Sequence, residues 1–489
     1  MLSTLRSSTT RIAQARWLRP LQAASSISTP TPFTRAPLHT SPPIRTLDVS
    51  SIISPDYIVR SPFPDIEVPT SSLYSFVYKN FAKYGSKIAL VRGETGREYT
   101  FNEIDELTSK FSSSLRRHGF QQGDVLAIVS PNLPEYATVL FGTLAAGGAV
   151  CTCNPTYSVD ELTYQFQNSG SKIVATVPEI LDTVRQAAQK ANIEKVIVID
   201  PSDNSSSRTS DGIFSYQAMV SDSGSLFSPV ETAPGDITVL PYSSGTTGLP
   251  KGVMLTNRSV TSNIEQMHHP ELFQLELEGT CLVAVLPFFH IYGMVVILYS
   301  SLHFGSKAVT MTKFDPELFL SCLDKYKVNL CHLVPPLVLF LAKHPLVDNY
   351  NLKSLDQIMV GAAPLGGEVV KAARDRINCR LIRQGYGLSE TSPVTHIMPQ
   401  SYSMSKPASI GHPVRSMLAK IVNPETGESL GAEEEGELWL SGPNVMTGYL
   451  NQPQATKDTI TDDGWFKTGD VGEGLKHTCT IYTFCFDCT

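Results

Sequence analysis

From about Ser71 onward, apolar positions switch between two rhythms. Phe101 to His118 repeats at helical spacing, with Asn102 as the expected N-cap. Asp124–Ser130 (DVLAIVS) is a short apolar run between Gly123 and Pro131, which suits a buried parallel strand. Pro134–Ala146 is again helical and Ala149–Cys153 a strand. Lys172–Val177, a helix from Glu179 and Lys195–Asp200 continue the rhythm. A polar loop at 201–212 interrupts it, and strands resume at Ile237–Pro241, Gly252–Thr256, Ile358–Val360 and Arg380–Ile382. Such alternation predicts an α/β fold of two α/β subdomains with mostly parallel sheets. Lys420–Val422 and Gly436–Leu440 read differently, separated by turn signals at Asn423-Pro424 and Gly427. They predict a small all-β subdomain over about 410–465.

Cys281 to Phe304 carries no Asp, Glu, Lys or Arg and is long enough to cross a bilayer. Pro287, His290, Gly293 and His303 interrupt it, so a buried strand followed by a buried helix is the better expectation, with no transmembrane segment. Residues 1–47 hold six arginines, no lysine and no acid, among many Ser, Thr and Pro. That composition is expected of a mitochondrial transit peptide; the alternative, for a full-length form, is a cytoplasmic or peroxisomal location. Without those six arginines the formal charge of −7 becomes −13, which disfavours nucleic acid as a partner. Residues 48–70 read as an extended lead-in to a domain covering 71–471. Six scattered cysteines fit a reducing compartment, and Cys485 with Cys488 make only one C-x-x-C pair.

The chemistry is concentrated first in YSSGTTGLPKGV, residues 242–253. No glycine precedes Lys251 and no hydroxyl follows it, so the loop departs from the Walker A pattern. A strand precedes the loop and another strand follows it, whereas a Walker loop opens into a helix that holds the phosphates. Backbone N–H groups of the turn at Gly245 and Gly248 would cradle phosphate here. The hydroxyls of Ser243, Ser244, Thr246 and Thr247, with Lys251 as a mobile cation, would assist. A flexible Gly/Ser/Thr surface loop has the same composition.

Further motifs follow in order: LPFFHIYGM (286–294), GAAPL (361–365), QGYGLSE (384–390), GELWLSGPNVMTGYLNQPQAT (436–456) and WFKTGD (465–470). Together with the loop they resemble the adenylate-forming (AMP-binding) enzymes, within them the acyl- and aryl-CoA ligases close to 4-coumarate–CoA ligase and firefly luciferase. The resemblance runs from about residue 71 to Val471. It implies a ligase that joins a carboxylic acid to ATP, releasing pyrophosphate, and then passes the acyl group to CoA. In that setting Glu390 is the natural Mg²⁺ anchor. Ser389, where the family usually has Thr, contacts the α-phosphate. Gly361-Ala362-Ala363-Pro364 and Gln384-Gly385-Tyr386-Gly387 form small-residue turns against the adenine, with Tyr386 available to stack. Asp470 offers two acceptors to ribose hydroxyls. His290 lies beside the carboxylate, while Tyr292 and Lys313 face the acyl and CoA side. Pro393 and Val394 join His290, Tyr292 and Gly361 around the acid, which suits an aryl or medium-chain group. In isolation each has an ordinary structural reading: a core histidine, a loop turn, a turn aspartate.

After Asp470 the family continues to an Asp-Arg-x-Lys hinge and a mobile C-terminal domain. Here residues 472–489 end in HTCTIYTFCFDCT, without the hinge and with no regular pattern, and are expected to be unstructured. The resemblance therefore implies impaired turnover. The alternative is a nucleotide or acyl-adenylate binding module that does not turn over.

Overall fold

The computed structural model describes residues 54, 56–200, 212–243, 249–272, 277–402, 407–474 and 481–484. The transit-like segment and the polar loop 201–211 lie outside the described residues. Three sheets organise the chain. The first runs Tyr242–Ser243, Lys251–Thr256, Ile237–Leu240, Ala149–Cys153, Val125–Val129, Ser171–Thr176, Lys195–Val198, Ile213–Ser215, with Gly448–Tyr449 beside Lys251–Thr256. From Ile237–Leu240 to Ile213–Ser215 its neighbours are parallel. The second has a parallel centre of Leu381–Gly387, Gln357–Val360, Leu330–Leu333, Cys281–Ala284, Lys307–Thr310 and Ile88–Arg92. Antiparallel strands flank it on both sides. The third is antiparallel and five-stranded; it takes Leu418–Val422 and Glu435–Ser441 from the expected β unit and extends beyond residue 465 with Phe466–Gly474.

Parallel strands are covered on both faces, which is why they read as unbroken apolar runs. Ala149–Cys153 is buried at every position. The helix Pro134–Ala145 is buried at every residue too, because it touches the strand Ala149–Cys153 of the first sheet and Ile88–Arg92 of the second. A helix enclosed on all sides carries no polar stripe. The six described cysteines are free and buried. Among the described residues no helix is long and apolar enough to cross a membrane.

Several local expectations shift. Thr100, not Asn102, caps the helix Phe101–Arg117, its Oγ1 accepting the Glu103 N–H at 3.1 Å. The strand Glu98–Thr100 runs straight into the helix, so the last extended residue supplies the hydroxyl. The helix expected from Glu179 begins at Leu181, after a 3₁₀ turn at Pro178–Ile180. The buried helix after Cys281–Ala284 is a π-helix over Tyr292–Tyr299 and then α-helical over Ser300–Phe304. Gln384–Gly387 is not a turn but the end of the strand Leu381–Gly387, paired antiparallel with Val394–Ile397. A Cβ on Gly387 would lie 2.1 Å from the Pro393 carbonyl oxygen, so only glycine permits that pairing. The lead-in supplies the strand Val59–Arg60, paired with Leu418–Val422. The tail, expected to lack structure, supplies Ile481–Phe484, which pairs with Phe466–Gly474. An open strand edge offers backbone groups to any extended segment, so this pairing needs no side-chain pattern.

His303, His332, His396 and His412 are buried within this scaffold, and the first three are held neutral. Burial pushes His332 and His396 down to about 3, helped by the charges of Arg383 and His412. His303 is pushed down to about 3 by burial and by Lys79, with its ring stacked on Phe76 at 4.2 Å. The unfolded chain binds these protons near the ordinary value of 6.5, before the folded chain does. Their neutral burial is therefore fully tolerated above that pH and loses stability as pH falls toward 3. Each is expected to cost about 2 kcal/mol at pH 5 relative to pH 7. Urea unfolding at the two pH values checks this, and His303→Phe is expected to remove roughly one third of the difference. Identical unfolding free energies at pH 5 and 7 would refute it.

Candidate active site

Crevices at the carboxyl ends of parallel strands collect functional loops in α/β sheets. In the second sheet the segments after Cys281–Ala284, Gln357–Val360 and Leu381–Gly387 enclose a cavity of about 200 Å³. The expected His290, Tyr292, Gly361, Ala362, Gly385, Tyr386, Gly387, Ser389, Pro393 and Val394 all line it. Met267, Val296, His332 and Met359 line it as well, and nothing in the motifs pointed to them. Gly361 must remain small, because a Cβ there would come within 2.9 Å of the Tyr292 ring.

The segment carrying His290 follows a strand of the second sheet and is held from the first. Asn132, just before the buried helix, donates from Nδ2 to the carbonyls of Ala284 and Leu286 at 2.9 and 2.8 Å. Its Oδ1 accepts the Phe288 N–H at 2.7 Å. Thr152, in the first sheet, donates its hydroxyl to the Phe289 carbonyl at 2.8 Å. His290 follows, exposed at the cavity mouth, with its pKa lowered by lost solvation. Its Nδ1 lies 3.3 Å from the Tyr292 N–H, which donates to it, so the neutral ring carries its proton on Nε2.

Two other groups form beside the cavity. Tyr386 donates its hydroxyl to Asp470 Oδ2 at 2.5 Å, and the Asp470 N–H is held by Thr468 Oγ1 at 3.0 Å. Glu390, 7 % exposed, accepts from the Tyr449 hydroxyl at 2.9 Å, and its carbonyl accepts the Met446 N–H at 2.8 Å. Lys251 Nζ sits 4.8 Å from the centre of the Tyr449 ring, which gathers an ammonium, a phenol and a carboxylate. Burial and the Glu390 carboxylate raise the Tyr449 pKa, keeping it a donor. Tyr449 lies inside the quoted GYLNQP stretch, but its role became visible only through the pairing of Gly448–Tyr449 with Val253 and Met254. Ser243 Oγ is buried without a partner among the described residues. Ser244, Gly245, Thr246, Thr247 and Gly248 lie outside the described residues.

Four expected residues stand apart from the cavity. Gln384 is buried and bound in both directions to Leu365, its Oε1 accepting at 2.9 Å and its Nε2 donating at 3.0 Å. It shapes the turn after Val360 from within. Ala363 and Pro364 are exposed on that turn, beyond Ala362 with its φ of +70°. Lys313 is exposed after Lys307–Thr310. Among the described residues no group of three or more His, Cys, Asp or Glu side chains could hold a metal by itself.

A family model described as AMP-binding enzyme matches residues 77–450. A probable 4-coumarate–CoA ligase 1 of Dictyostelium discoideum is 36 % identical over 423 residues, covering 84 % of this chain and 76 % of that protein. 4-Coumarate–CoA ligase 1 of Petroselinum crispum is 36 % identical over 426 residues, with coverage of 85 % and 76 %. A solved long-chain-fatty-acid–CoA ligase from Archaeoglobus fulgidus superposes with a TM-score of 0.77 at 25 % identity, covering 86 % of each chain. A red-emitting luciferase from Phrixothrix hirtus gives 0.74 at 29 % identity, covering 88 % of this chain and 79 % of that one.

The Asn132 clamp carries a stability expectation. Asn132→Ala removes three hydrogen bonds and leaves backbone groups at Ala284, Leu286 and Phe288 without that partner. The unfolding free energy is expected to fall by about 2–4 kcal/mol, read from urea denaturation at pH 7. A change below about 0.5 kcal/mol, the size of a surface substitution, would refute the clamp.

Proposed function

The chain belongs to the AMP-binding enzyme family, and from that premise we propose that it is an ATP-dependent carboxylic acid–CoA ligase. In the first step an acid carboxylate attacks the α-phosphorus of ATP, giving acyl-AMP and pyrophosphate. In the second the CoA thiol displaces AMP and forms the thioester. The observation that carries this reading is the meeting of an apolar cavity with His290, Ser389 and the Lys251–Tyr449–Glu390 group at the ends of parallel strands. The names of the relatives support the same class.

Both reactants of the first step are anions, so a catalyst must hold them together and offset their repulsion. A neutral His290 with its proton on Nε2 can donate to the acid and orient it without protonating it. Its lowered pKa serves that role, since an imidazolium would compete for the carboxylate's lone pairs. Lys251 supplies positive charge toward the phosphates, beside the loop 244–248. Ser389 offers its hydroxyl to the α-phosphate. Asp470 and Tyr386, already bonded to each other, hold the ribose and base sides in register. Lys313 would meet CoA outside the cavity.

Glu390 would hold Mg²⁺, and the residues present fit it. Mg²⁺ commonly takes one or two carboxylates and fills the remaining positions with water and substrate phosphates. One buried carboxylate oriented by a tyrosine, with no three-ligand cage among the described residues, matches that habit. When bound, the ion would neutralise charge developing on the departing pyrophosphate.

A binding module without turnover is the second reading. The arginine-rich first 47 residues support a mitochondrial address. ATP–pyrophosphate exchange across a panel of aryl and medium-chain acids is the deciding measurement. Acid-dependent exchange is expected, and Glu390→Gln is expected to lower it roughly 10²–10³-fold, the scale of losing one organised electrostatic group. ATP binding without exchange for any acid favours the module, and absence of both overturns the two readings together.

A further inference from the structure

A second cavity, of about 30 Å³ and here termed the rear chamber, shares a wall with the first. The two share three wall residues, Met267, Val296 and His332, so these form a partition between the chambers. The rear chamber is mostly apolar, with Leu282, Phe304 and Leu330 around it. Its serines face away in chemical terms: Ser300 donates to the Val295 carbonyl at 2.9 Å and Ser306 to Leu277 at 2.5 Å. Ser301 is the exception, with a buried hydroxyl that has no partner among the described residues. The volume is about that of one water and too small for an acyl tail as it stands.

The partition residues differ in how far they can yield. Val296 lies within the π-helix Tyr292–Tyr299, whose turns close over five residues instead of four. That winding brings Val296 and Ser300 together on the rear chamber, fixed by the Ser300–Val295 bond. His332 is on the central strand Leu330–Leu333, and its Nδ1 lies 3.4 Å from the Tyr292 hydroxyl. Met267 is the last residue of the helix Asn257–Met267, buried, unbranched and without a hydrogen bond to hold its side chain. Of the three wall residues it has the longest unbranched side chain, so its truncation opens the most space between the chambers without disturbing a hydrogen bond.

We propose that Met267 sets the length limit of the acid this site accepts. The substrate class is then a compact carboxylic acid, aryl or short-chain, whose far end stops against Met267. Longer straight-chain acids are excluded by the closed partition and not by any lack of apolar lining behind it. The proposal rests on the ligase reading for its substrate, but its geometry concerns the cavity alone.

The test compares the full chain with Met267→Ala and Met267→Leu over straight-chain acids of increasing length and a set of aryl acids. ATP–pyrophosphate exchange is one readout, and calorimetric binding of the same acids in the presence of ATP is the other. Met267→Ala is expected to move the preferred length by two or more carbons. Each methylene newly buried is worth about fourfold, so acids two carbons beyond the wild-type preference should gain roughly tenfold or more. Met267→Leu, which keeps the volume, should reproduce the wild-type profile. An unchanged length profile in Met267→Ala, or a wild type that already prefers long chains, overturns the proposal. If no acid drives exchange, the ligase reading falls while the binding series still decides the partition. Absence of acid binding in all three proteins overturns the partition as well.

Discussion

One buried amide ties the two halves of the site together. Asn132 stands at the entry to the helix that lies between the sheets, and it completes the hydrogen bonding of Ala284, Leu286 and Phe288 in the facing segment. Backbone groups in a buried loop cannot be left without partners, so a segment that must pass irregularly between two sheets needs a side chain of this kind. Everything at the cavity mouth follows from that fixture. The Phe289 carbonyl falls to Thr152 of the other sheet, and His290 emerges with Nδ1 under the Tyr292 N–H. The tautomer of the histidine is thus set by a backbone course that Asn132, 156 residues before Phe288 in the chain, enforces.

The parallel strands, the β unit and most of the cavity lining were legible in the sequence because each left a local mark. Apolar runs such as Asp124–Ser130 give strands their position within a residue. The marks fail where the deciding interaction is distant. Asn102 looked like a cap, but the strand that ends at Thr100 is paired with Ile88, and that pairing chose the hydroxyl. Gln384–Gly387 carries turn residues, yet its glycines serve close strand pairing against Pro393 and Val394. Gln384, expected against the adenine, has its side chain bonded to Leu365 instead. Met267 and His332 carry no motif at all, since a methionine ending a helix and a histidine in an apolar strand are ordinary core residues until a cavity lies between them.

The polar groups of the site arrive from separate parts of the fold and are joined only by hydrogen bonds. Asp470 belongs to the antiparallel sheet and Tyr386 to the parallel one. Glu390 follows that parallel strand, whereas Tyr449 sits beside Lys251–Thr256 in the first sheet. All three sheets are therefore connected at one place through Tyr386–Asp470 and Tyr449–Glu390. Such pairs are strong in a dry site and expensive if one member is lost, which makes them suited to fixing register between subdomains.

That arrangement also explains why the apolar and charged parts of the site sit side by side without mixing. The cavity takes its walls from the π-helix and the central strands, where no ionised side chain lines it. Lys251 and Glu390 are outside its lining, joined to each other through the Tyr449 ring and its hydroxyl. A carboxylic acid with an apolar body would enter with its charged end toward His290 and Ser389 and its body toward Met267. Orientation then costs little extra, because reversing the molecule would bury its charge against Met267 and Val296 with no partner. The separation of polar rim from apolar floor is enough to fix which end reacts, and the identity of the acid is left to the volume in front of the partition.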